Sequence, residues 1–162
     1  MDTMTKNSNY GLIPELVKLL KNSTAHVGFN EAVADIPAHL LGTVPPQLPY
    51  SIWQLVEHIR IAQKDMLEFS RNSEYQELSW PDDYWPKEPT PTSKAAFNES
   101  VAQVNADLDE FIRLLKSNDP YAPIPHGEGQ TLLQEALQIA DHTAYHVGEI
   151  VAIRRLLGAW KS

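Results

Sequence analysis

Apolar residues recur at helical spacing over four stretches of this chain, and no stretch alternates apolar with polar residues as a strand does. The cleanest run is Phe97, Val101, Val104, Leu108, Phe111 and Leu115, spaced 4-3-4-3-4, with polar residues between. That rhythm keeps one narrow stripe against a partner helix, as in a bundle seam. A second run, Leu55, Ile59, Ala62, Met66 and Phe69, follows Ser51. Gln54 stands three residues after that serine, the spacing of a reciprocal capping box. A first helix is predicted over 13–36, with Pro14 in its opening turn and Leu16, Leu20, Phe29 and Val33 on its apolar side. Gly28 weakens it locally. The last helix is predicted over 131–157, capped by Thr131 and ended at Gly158.

The intervening segments carry the prolines. "IPAHLLGTVPPQLPY" contains four, and "LSWPDDYWPKEPTPT" contains Pro81, Pro86, Pro89 and Pro91, so neither continues a regular helix. Ser93 then caps the third helix, and "SNDPYAPIPHGEGQ" separates it from the fourth. The expected fold is all-α: one four-helix-bundle domain over 1–162, with long proline-rich connections.

Composition narrows the chemistry. The 162 residues are 43% hydrophobic, enough for a sizeable core. Thirteen Lys+Arg against 21 Asp+Glu give a net charge of −8, which repels a phosphate backbone and argues against nucleic-acid binding. With no cysteine, any metal must sit on His, Asp, Glu or water. "MDTMTKNSNY" lacks an apolar signal-like core, and no segment is long and apolar enough to span a membrane. A cytoplasmic location is the expectation.

Against this background "DHTAYHVGEI" stands out. It places His142 and His146 one turn apart on the fourth helix, about 40° from each other around the axis. Ile139, Ile150, Ile153 and Leu157 share their sector, and Glu135 and Glu149 each lie seven residues from His142. The pair therefore projects toward the core. His58 falls in the inward sector of the second helix, among Leu55, Ala62, Met66 and Phe69. Three inward imidazoles form the ligand set of an open divalent-metal site, with water or substrate at the remaining positions. The other reading is three core histidines satisfied by hydrogen bonds. His26 shares a face with Phe29 and Val33, His39 lies in the proline-rich connector, and His126 precedes the fourth helix in a loop able to reach a pocket mouth.

"SIWQLVEHIRIAQKDML", followed much later by "ADHTAYHVGEIVAIRRLLGAW", resembles the DinB-like superfamily of bacterial four-helix-bundle proteins, as do the "WPDDYWP" loop, "PIPHGEGQT" and the final "RRLLG". The resemblance implies a metal site of one histidine on the second helix and two on the fourth, matching His58, His142 and His146. It implies zinc or nickel as the ion, a thiol-dependent transferase or related activity with bacillithiol, mycothiol or glutathione as cosubstrate, and a dimer. One position departs: relatives often carry Gln where this chain has Glu149. That carboxylate is a candidate metal ligand, general base or hydrogen-bond acceptor behind a ligand.

The leading expectation is a metal-dependent transferase or hydrolase that activates a low-molecular-weight thiol or water for attack on a small electrophile. In it Glu149 is the catalytic base candidate, and Tyr145 and His126 are substrate contacts. The alternative is a metal-binding or stress-response binding module without turnover. Ala140, Ala144, Val147 and Val151 form a second apolar stripe on the fourth helix. A two-fold homodimer or the chain's own connecting segments would cover it.

Overall fold

In the computed structural model, residues 11–22 and 25–160 are described. Among them the chain is all-helical, with α1 (Leu12–Lys21), α2 (Phe29–Val33), α3 (Ile52–Arg71), α4 (Lys94–Ser117) and α5 (Leu132–Leu156), plus a 3-10 turn at Ala38–Leu40. α3 packs on α4 and α5, α1 on α4 and α5, and α2 on α5. None of these helices is long and apolar enough to cross a membrane. The N-terminal "MDTMTKNSNY" lies outside the described residues.

The helix starts follow the caps. Ser51 Oγ accepts from the Gln54 amide at 3.1 Å while the Gln54 side chain accepts from the Ser51 amide at 3.0 Å. Ser93 and Thr131 cap α4 and α5 from one side only, each accepting from the backbone three residues on. Gly158 ends α5 in the left-handed region at φ 68°, where its amide and that of Ala159 return to the Arg155 and Arg154 carbonyls.

The single helix expected over 13–36 is instead two. α1 ends at Lys21, and α2 starts only after Gly28; residues 23–24 of the expected helix lie outside the described residues. Asn22 leaves the helix in an extended conformation, and Asn, Ser, Thr and Gly in "NSTAHVG" are weak helix formers. The break lets the two pieces serve different cores. Leu16 of α1 joins Leu67, Phe111, Leu115, Leu132, Ala136 and Ile139 at one end of the bundle. Ala32 and Val33 of α2 join Ile52, Leu55, Ile59, Phe97, Val147, Ile150 and Ile153 at the other. Arg154, buried on α5, fastens this second end by donating to the Ala32 carbonyl at 2.7 Å and to the Ala159 carbonyl at 2.9 Å.

On α5 the boundary between the cores falls between Ile139 and Val147, the level of His142 and His146. Val147 and Val151 pack in the same core as Ala32 and Val33, so α2 buries much of the second stripe without a second copy. The rest of it, Ala140 and Ala144, lines a cleft of about 460 Å³ with Leu20, Val27, Phe29 and Leu108.

Candidate metal centre

α3 brings His58 and α5 brings His142 and His146 to one point. One ring nitrogen from each lies within 4.8 Å of the others, and among the described residues no second such group of three metal-binding side chains occurs. His58 and His146 are buried and His142 is half-buried. The closest approach is 3.0 Å, between Nε2 of His58 and Nε2 of His142.

The remaining ring nitrogens explain why these rings converge. His58 Nδ1 lies 2.9 Å from the Tyr84 carbonyl, which can only accept, so the proton sits on Nδ1 and Nε2 keeps its lone pair. His146 Nδ1 donates to Glu149 Oε2 at 2.6 Å, which likewise turns the Nε2 lone pair of His146 away from Glu149. A carbonyl behind one ligand and a carboxylate behind another is the usual outer shell of metal-binding histidines. Trp85 fixes the plane of His58, stacking on it at 3.8 Å and 3°, and Tyr50 stacks on Trp85 in turn at 4.1 Å.

Burial, reinforced by the neighbouring His146 and His58 rings, brings the His142 pKa down to about 4. Burial and then His58 do the same to His146, also to about 4. Burial lowers His58 too, opposed by the Tyr84 carbonyl and the Glu149 charge. At neutral pH all three are uncharged bases, the form a cation binds. Burial raises the Glu149 pKa, and the His58 cation would oppose it. Three nitrogens on a tetrahedral ion would lie about 3.4 Å apart. The observed 3.0 Å contact and the 4.8 Å limit bracket that spacing. The donor set fits a divalent ion.

The chain matches the sequence profile of the DinB superfamily over residues 23–150, well over half its length. It belongs to the DinB superfamily. No curated protein and no solved structure gives a significant match.

The other residues singled out in this DinB-superfamily chain are scattered. Tyr145 is 67% exposed and sets its ring against His146 at 5.0 Å, at the rim of the histidine cluster. Glu149 stands behind His146. His126 is not brought to the cluster. Its Nε2 bonds the Phe69 carbonyl at 2.6 Å, and Phe69 is three turns beyond His58 on α3, about 16 Å along the axis. His26 and His39 are exposed. The contribution of "WPDDYWP" had no periodicity to announce it: Tyr84 supplies the carbonyl and Trp85 the stacking face. Trp80, 69% exposed, lies 6.5 Å from the His58 ring.

Proposed function

We propose that His58, His142 and His146 hold one divalent metal ion, zinc or nickel, in a metal-dependent enzyme that activates a low-molecular-weight thiol or water for attack on a small electrophile. The observation that carries this reading is the convergence of three neutral imidazoles, two of them with their outer nitrogens tied back. A divalent ion so held lowers the pKa of a thiol or water ligand and supplies a nucleophile near neutral pH. Trp85 and the Tyr84 carbonyl hold His58 in plane, and Glu149 holds His146. Tyr145 and Trp80, both exposed beside the cluster, form the walls a substrate meets on entering. His126, tied to the far end of α3, touches only a substrate that extends along that helix. Because its Oε2 already accepts from His146, Glu149 acts here as a positioning residue rather than a base.

Metal analysis of protein purified without a histidine tag tests the first step, with one equivalent expected and loss in His142→Ala. Metal-loaded protein is then assayed for thiol addition to 1-chloro-2,4-dinitrobenzene and for ester hydrolysis. Turnover that vanishes in His142→Ala supports the enzyme, whereas bound metal without turnover in either assay favours the non-catalytic binding module. Absence of stoichiometric metal refutes both. Glu149→Gln separates the two roles of that residue: a positioning acceptor is replaced by the amide with turnover largely retained, whereas a general base is not.

A further inference from the structure

The break between α1 and α2 opens a cleft on the side of α5 that faces away from the histidines. At 100° per residue, Ala140 and Ala144 lie nearly opposite His142 on that helix. Both line the cleft of about 460 Å³, together with Thr143 and Val147. Leu19 and Leu20 at the end of α1 line it too, as do Val27 and Phe29 beyond the break and Leu108 of α4. A volume of this size falls within the range of small-molecule pockets, about 300–1,000 Å³.

Several polar groups of the lining are already paired. Lys21 meets Asp109 at 2.8 Å, and Asn30 and Asn105 exchange hydrogen bonds at 3.0 and 2.9 Å. Gln63 differs. It is 2% exposed, and its amide nitrogen donates to the Val104 carbonyl at 2.7 Å. A carbonyl can only accept, so the nitrogen takes that side and the side-chain oxygen is left over. No described donor reaches Gln63 Oε1. Nor is it sealed within protein as Asp107 Oδ2 is, so the little surface it keeps opens into the cleft that Gln63 lines. An acceptor so nearly buried, and without a donor, is a place where a ligand gains a hydrogen bond. Thr143, half-buried in the same lining, has a hydroxyl bonded to no described group. Lys21 is spent on Asp109, and Glu31 adds negative charge, so the lining does not compensate an anion.

We propose that this cleft is a second binding site, separate from the histidine cluster, for a small uncharged apolar molecule bearing one hydroxyl, a phenol or an alcohol. The hydroxyl donates to Gln63 Oε1. The hydrocarbon part lies against Leu20, Phe29, Leu108 and Ala144 and is removed from water. The site does not rest on the metal-dependent reading, because none of the three clustered histidines lines the cleft.

Calorimetric titration of chelator-treated protein at neutral pH, with 4-ethylphenol, 4-ethylanisole and 4-ethylbenzoate, tests the site. One 4-ethylphenol should bind per chain. The anisole, which has no hydrogen to donate, should bind about tenfold more weakly, and the benzoate anion more weakly still. Gln63→Met keeps the length of the side chain but removes the acceptor, and it should erase the preference for the phenol. Ala144→Leu fills the cleft from α5 and should abolish binding of phenol and anisole alike; it alone decides if Gln63→Met does not fold. No binding of the phenol, equal affinity for phenol and anisole, a preference surviving in folded Gln63→Met, or binding unchanged in Ala144→Leu overturns the proposal. Binding lost in His142→Ala but kept in Ala144→Leu puts the phenol at the histidine cluster, which overturns this site and leaves the metal reading standing. Phenol bound in the cleft of a protein that takes up no metal upholds the site while the metal reading falls.

Discussion

Glu135→Gln should stabilise the fold, and the gain should depend on pH in a direction the structure dictates. Burial, and then the Asp65 charge, raise the folded carboxyl from its ordinary 4.5 to about 7. The folded protein therefore holds a proton that the unfolded chain gives up as pH climbs through 4.5. Stability contributed at this position is intact below about 4.5, falls as pH rises, and levels off above about 7. At about 1.4 kcal/mol for each tenfold change in proton affinity, the full cost is about 3 kcal/mol. His142 and His146 act in the opposite sense. Their pKa values near 4 mean that the unfolded chain takes protons first as pH falls, so their contribution is complete above about 6.5 and lost through about 4. Both are present in the parent and the variant, so the difference between the two curves isolates Glu135. Urea denaturation followed by circular dichroism, in chelator-treated protein, supplies that difference. The variant should match the parent near pH 4.5 and exceed it by about 3 kcal/mol near pH 8. In thermal scans the same gap is about 6–12 °C for a chain of this size. A gap that is constant with pH, or that opens toward acid, refutes the reading of Glu135 as a carboxyl desolvated by burial.

Trp85→Ala removes the stack that fixes the His58 plane and should weaken metal binding by about tenfold, measured by competition with a chromogenic chelator. Unchanged affinity would show that the Tyr84 carbonyl alone orients the ring. Arg154→Ala strips donors from the Ala32 and Ala159 carbonyls and leaves buried acceptors behind; it should cost about 3 kcal/mol in urea denaturation. Gly42→Ala puts a methyl group 2.8 Å from the Thr90 Cα, a backbone atom that cannot swing aside, and should destabilise by about 1–3 kcal/mol in the same assay.

The helices that carry the ligands are legible because periodicity and capping agree. Ser51 with Gln54, Ser93 and Thr131 set the helix starts, and the 3.6-residue repeat then points His58, His142 and His146 inward. The first helix misleads because one apolar stripe runs across "NSTAHVG", and burial cannot tell a continuous helix from two pieces serving two cores. Glu149 as partner of His146 is readable in principle, since residues three apart share a helix face. The length and aromatic content of "WPDDYWP" suit a roof over the site, but the individual roles of Tyr84 and Trp85 are not readable. Their roles come from a connection that has no repeat, bonded across 26 residues of sequence to His58.

That connection gives the site a dependence the helices alone would not. Packing of α3 on α5 brings the three imidazoles together, yet the tautomer of His58 is set by the Tyr84 carbonyl and its plane by Trp85. The Tyr84 hydroxyl is in turn held by Asp65, two turns along α3 from His58. Ser51, which caps α3, also donates to the Pro89 carbonyl and so ties the far end of the same connection to the start of the helix that carries His58. Charge on Asp65 is thus coupled to the orientation of a metal-binding nitrogen through a single tyrosine, by its hydroxyl at one end and its carbonyl at the other.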